Sequence, residues 1–118
     1  MISDKADTDL LMRLLQATTL RSKVIAGNIS NQSTPGYKRK VVLFEDLLEQ
    51  AARDGLSARE VQPEVLVDAD TPARLDGNNV VPELEMDSLR KNRLLYETYI
   101  AILESHFNLI EASIFSGR

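Results

Sequence analysis

Apolar residues in the first thirty positions recur at steps of three and four: Leu10, Leu11, Leu14, Leu15, Ala17, Leu20, Val24, Ile25 and Ile29. That spacing marks one face of a helix and predicts one over about residues 7–30. Asp4, Asp7 and Thr8 are its candidate caps, with negative charge at the positive end of the helix dipole. Two seams run along it, Leu11-Leu15-Thr18-Ser22-Ile25-Ile29 and Leu10-Leu14-Ala17-Arg21-Val24-Asn28, so the apolar stripe starts wide and narrows toward the asparagines. A stripe that wide needs more than one neighbouring helix.

A second pattern of the same kind fills the last third. Leu89, Arg93, Tyr96, Ile100, Leu103, Phe107, Ile110 and Ile114 step by four and three, close to a heptad repeat, with Tyr99 and His106 beside them. This predicts a helix over residues 82–115, with Pro82 acceptable in a first turn whose N–H groups lack helical partners anyway. At 1.5 Å per residue it is about 50 Å long, and the first helix about 35 Å.

Between them the periodicity breaks. Ser30 to Thr34 compete with the helical ladder through local side-chain bonds, and Pro35-Gly36 suits the central pair of a type II turn. Asn28 and Asn31 are placed to satisfy the last helical carbonyls, their own or a neighbour's. Tyr37 is placed to lay its ring on the helix with its hydroxyl in water, and Lys38, Arg39 and Lys40 to face the helix's negative end. Residues 41–53 open with a β-favouring run and continue as a short amphipathic helix carrying Phe44, Leu47, Leu48 and Ala51 on one side. Residues 56–80 show alternation at Val61, Val65 and Val67 and a turn signal at Asp76-Gly77-Asn78-Asn79, which predicts short strands or an extended arm. The fold class is therefore mainly α: two long amphipathic terminal helices, forming a coiled-coil-like layer, bracket a short irregular segment with some β-structure over 31–81.

Length and charge then narrow the class. A chain of 118 residues is at most one ordinary domain. The formal charge of −4 is unevenly spread: net +4 over residues 1–40, −8 over 41–90 and zero over 91–118. Unlike ends suit chains that meet one another through complementary patches. The basic end lacks the dense Lys/Arg run and the aromatic platform of a nucleic-acid binder. There is no cysteine, hence no disulfide framework or thiolate site. No run approaches the length of a membrane span, and the acidic amino end does not read as a cleavable secretory signal.

Candidate chemistry is sparse. His106, the only histidine, sits at the edge of an apolar stripe and reads as a packed or interfacial residue. Asp76-Gly-Asn-Asn lacks the carboxylate spacing and terminal glutamate of a calcium loop and reads as a turn. The sequons at Asn28 and Asn31 are short patterns that arise by chance. The acidic pairs Glu45-Asp46 and Glu83/Glu85 have no partnered base and read as solvated carboxylates. No catalytic constellation, cofactor cradle or metal-ligand set emerges, so neither an enzyme nor a small-molecule binder is indicated.

The stretch from Asn28 to Arg39, "NISNQSTPGYKR", resembles the amino-terminal signature of bacterial flagellar axial proteins, the rod, hook and hook-associated family. Residues 74–114, "RLDGNNVVPELEMDSLRKNRLLYETYIAILESHFNLIEASI", are similar to the carboxyl end of its small proximal-rod members. The short middle and the Leu75–Asn79 phrase favour one rod type over its sibling FlgC, which stays the nearest alternative. Val81-Pro82 departs from the family, whose members more often carry a polar helix cap there. The resemblance implies a structural subunit of the basal-body rod in the periplasm, exported without a cleavable signal through the flagellar type III apparatus and assembled helically into the drive shaft needed for motility. It also implies as partners copies of the same chain, the rod proteins FlgC and FlgF, the basal adaptor FliE and the type III export gate. Asn28, Asn31, Thr34, Pro35, Gly36 and Tyr37 would form the family turn. Leu11, Leu14, Leu15, Ile25 and Ile29 would form one helix interface, and Leu89, Tyr96, Ile100, Leu103, Phe107, Ile110 and Ile114 the other. Phe44 and Leu48 fit a short export-gate element, with core packing as the competing role. The competing class for the whole chain is a soluble helical adaptor or export chaperone, which has no use for the turn motif.

Overall fold

A computed structural model describes residues 2–116. Its elements are α1 (Ile2–Ser30), β1 (Lys40–Leu43), α2 (Glu45–Arg53), a single 3-10 turn (Ala58–Glu60), β2 (Glu64–Val67) and α3 (Pro82–Ser116). α1 starts earlier than expected, so Asp7 and Thr8 lie inside it; the Asp4 side chain lies outside the described residues. No proline or glycine interrupts positions 2–8, and acidic residues in the opening turns complement the dipole, so the ladder extends past all three candidate caps. Pro82 opens α3 at the first helical position, and the Leu84 and Glu85 N–H groups donate back to the Val81 carbonyl at 3.0 Å each.

α1 and α3 run antiparallel, since Asn28 meets Glu85 while Thr18 and Ser22 meet Asn92. The hairpin they form is long and thin, with extents of 68 × 29 × 13 Å and a radius of gyration of 18.2 Å. A compact domain of this length would have about 13–14 Å.

The extended arm resolves into a two-stranded antiparallel sheet, with Lys40 opposite Val67 and Leu43 opposite Glu64. Phe44, fully buried at the turn from β1 into α2, packs with Ala17, Ala51 and Val61, and Leu14, Val42, Leu47 and Leu48 close around them. This small core fixes the sheet and α2 to one flank of α1. The rest of the hairpin, toward the ends of α1 and α3, is covered far less: Leu94, Ile102, Phe107, Leu109, Ile114 and Phe115 are exposed.

Candidate functional site

The turn after α1 is built from its own residues first. Tyr37 N–H donates to the Thr34 carbonyl at 3.2 Å and Gly36 has φ +75°, the geometry of a type II turn. Asn31 Nδ2 caps the Gly27 carbonyl at 2.8 Å, and its Oδ1 accepts from the Thr34 hydroxyl at 3.1 Å.

A second turn, Arg74 to Asn78, stands against the first. Gly77 (φ +86°) donates its N–H to the Arg74 carbonyl, and a Cβ on it would lie 3.2 Å from Gly36 Cα. The two are stitched together across about forty residues of sequence. Gly36 N–H donates to the Asp76 carbonyl at 2.8 Å, and Asn78 Nδ2 donates to the carbonyls of Asn31 and Thr34 at 2.8 and 2.9 Å. Lys38 Nζ reaches the Gly77 carbonyl, and the Arg39 N–H donates to Asn79 Oδ1 at 2.6 Å. Asn79 Nδ2 donates to the Asp68 carbonyl at 2.7 Å. The turn signal at 76–79 and the motif at 28–37, separate in the sequence, are two halves of one clasp.

Behind the clasp lies a charged core that sequence reasoning missed. Glu85, read as solvated, is 1% exposed; it accepts from Arg39 Nε at 2.6 Å and from Asn28 Nδ2 at 3.2 Å. Arg39 also pairs with Asp68 at 2.5 Å. Burial alone would lower the pKa of Arg39, but its bonds to Glu85 and Asp68 outweigh that and the net shift is upward. The Thr71 hydroxyl, then Arg39, hold the Asp68 carboxyl well below the usual carboxylate range. Asn28 does not cap α1. Its Nδ2 and Oδ1 bond the Lys40 carbonyl and N–H at 2.8 and 2.9 Å, and Oδ1 also accepts from the Tyr37 hydroxyl at 2.9 Å. The Tyr37 hydroxyl is thus bonded to Asn28 rather than left to water, and burial followed by the Glu85 charge raises its pKa. Arg39 serves carboxylates and Lys38 a loop carbonyl, so neither is spent on the helix dipole. Higher up the hairpin, Asn92, not Arg93, faces α1: it is buried and donates to the Thr18 carbonyl at 2.7 Å and the Ser22 hydroxyl at 2.8 Å. Arg93 points outward to Glu97. A heptad count shifted by one position would have found Asn92; only the long-range bond to Arg39 explains Glu85. Glu45, also read as solvated, pairs with Arg21 at 2.7 Å.

The remaining site residues divide by exposure. Leu11, Leu15 and Ile25 are buried within the chain, and Leu14 and Ile29 are half-buried. On α3, Leu89, Ile100, Leu103 and Ile110 are half-buried, whereas Tyr96, Phe107 and Ile114 are exposed. His106 is half-buried. Phe44 lies in the small core, with Leu48 half-buried beside it. No group of His, Cys, Asp or Glu among the described residues is arranged to hold a metal ion.

Fold and clasp together define an elongated subunit of helical-hairpin type. No protein-family model matches the sequence. Individual proteins do. The chain is 31% identical to the flagellar basal body rod protein FlgB of Borrelia hermsii, over 90% of this chain and 93% of that protein. It is 30% identical to FlgB of Aquifex aeolicus, with 93% of each covered, and 28% identical to FlgB of Bacillus subtilis, with 92% of each covered. The chain belongs to the FlgB family of flagellar basal-body rod proteins, the rod type that the short middle and the Leu75–Asn79 phrase favour.

Proposed function

We propose that this protein is a structural subunit of the flagellar basal-body rod, with its clasp setting the shape of the hairpin and its uncovered helix faces making the contacts of the assembly. The observation that carries this is the run of large apolar residues left in solvent along α3, Phe107 at 50% and Leu109 at 69% exposure among them, on a hairpin too thin to cover them itself. Large apolar side chains left in solvent in this number mark an interaction surface. The contacts are with copies of the chain and with the rod proteins FlgC and FlgF, the adaptor FliE lying at the base. Tyr96, Phe107 and Ile114 meet neighbours directly. Leu11, Leu15 and Ile25 act by holding α1 to its own chain. The subunit travels through the type III export gate, Phe44 and Leu48 being read there while the chain is unfolded, and works in the periplasm without catalysis or cofactor.

The test is Leu109→Asp. The side chain is in solvent, so the helix content of the purified chain should be unchanged, while incorporation into rods and swimming should be lost. Normal incorporation of this variant would overturn the reading.

A further inference from the structure

Two unlike surfaces lie on opposite sides of α3. On one side, Glu104, Phe107, Glu111 and Ile114 follow at steps of three, four and three, so they form one edge of the helix, and all four are exposed. From Leu94 to Ser116 the helix carries three glutamates and no lysine or arginine. Neither Glu104 nor Glu111 forms an ion pair among the described residues. Two carboxylates one heptad apart, about 10 Å along the axis, thus flank a phenyl ring, and neither carboxylate has an ion-pair partner among the described residues.

On the other side, Ser88, Lys91 and Leu95 follow at steps of three and four and form the wall of an open groove between α1, β1 and α3. The groove has a volume of about 390 Å³. Its apolar lining comes from Val24, Ile25, Val41, Val42 and Leu95, and its charged lining is four cations against Glu45 alone. Two of those cations are already committed, Arg21 to Glu45 and Arg39 to Asp68 and Glu85. Lys40 and Lys91 are exposed and, among the described residues, paired with no carboxylate. One surface therefore offers two spare carboxylates around an aromatic knob, and the other two spare ammonium groups around an apolar slot.

We infer that these surfaces are made for each other in different copies: the Glu104–Ile114 edge of one chain seats in the Lys40/Lys91 groove of the next, with Phe107 against its apolar lining. A single chain cannot make this contact with itself, because the two rows face away from each other on one continuous helix. The match is between two different patches, so it is heterologous, and repeating it extends a row of subunits instead of closing a two-fold dimer. This rests on the rod-subunit reading and deepens it by naming the surfaces that meet.

Charge exchange tests it. In low salt, sedimentation of the full chain at rising concentration should show species that keep growing, and added salt should reduce them. Lys91→Glu and Glu111→Lys, both at exposed positions, should each weaken self-association by about ten-fold or more with unchanged circular dichroism. A mixture of the two variants should recover it, since the intact edge of the first fits the intact groove of the second and the two altered surfaces again carry opposite charges, so that alternating copies can continue the row. The inference is overturned if the wild-type chain stays monomeric, if either single variant associates like the wild type, or if the mixture is no better than its components. Normal entry of both variants into rods would also overturn it, and would leave the rod-subunit reading standing; that reading falls with Leu109→Asp instead.

Discussion

The side chain of Asn28 and the backbone of Lys40 form a two-point pair, with Nδ2 donating to the Lys40 carbonyl at 2.8 Å and Oδ1 accepting its N–H at 2.9 Å. A carboxamide offers one donor and one acceptor at the spacing of a peptide unit, so Asn28 stands in for a further strand at the start of β1. Asn28→Ala would strand the Lys40 groups and the Tyr37 hydroxyl together. The expected loss is about 3 kcal/mol, read as the shift of a urea unfolding curve. Asn28→Asp should be no rescue at neutral pH, because it removes the donor and sets a second carboxylate against Glu85.

The two glycines at the crossing of the turns should not be equivalent. Gly36→Ala must adopt a positive φ, but its Cβ would point into open space, and a cost of about 1 kcal/mol is expected. Gly77→Ala adds to the same strain a contact of 3.2 Å with backbone that cannot swing aside. It should cost clearly more, and by parting the turns it should lower the melting temperature further than Gly36→Ala. Equal effects would mean that the turns are not pressed together.

Gly27, inside α1, has nothing within 4 Å of a would-be Cβ. Gly27→Ala should therefore stabilise the chain by about 0.5–1 kcal/mol through helix propensity alone. Thermal unfolding of the variant checks it.

Removing one member of the buried pair should be costly and asymmetric. Arg39→Met leaves Glu85, fully enclosed, without its cation, and should cost about 3–5 kcal/mol in urea unfolding. Glu85→Gln leaves Arg39, which still holds Asp68 and reaches solvent, so the loss should be smaller. The reverse order would place the demand for the pair on the arginine.

Acid should act through Asp68. Its native pKa lies below the unfolded value near 4, so the unfolded chain takes up the proton first as pH falls. Its stabilising contribution is complete above about pH 5 and is withdrawn progressively in more acid solution. Asp68→Asn should lower stability at pH 7 and flatten the fall between pH 5 and 3, as measured by the urea midpoint across that range. At the other extreme, the raised Tyr37 pKa predicts a loss as pH climbs past about 10.

Periodicity alone revealed both long helices because their apolar steps are regular and their ends are punctuated, by Ser30–Gly36 at one boundary and Pro82 at the other. The β-run before α2 was equally plain. What could not be seen was partnership. Val65 and Val67 alternate like a strand, but nothing in the sequence pairs them with Val42 and Lys40. Glu85 looks like any helix-surface carboxylate until Arg39 arrives from forty-six positions away. Asn28 and Asn31 look alike in the motif, yet one serves its own helix and the other a strand. Local rules report what a residue can do within a turn or two; the clasp depends on which distant segment comes to meet it.

The clasp also dictates an order of events. Helical turns nucleate and grow from neighbours in the chain, whereas every bond between residues 31–40 and 68–80 waits for a loop of 29 to 47 residues to close. During refolding, far-ultraviolet ellipticity should accordingly recover ahead of the Tyr37 signal. The elbow between the two arms is the last part of the subunit to set.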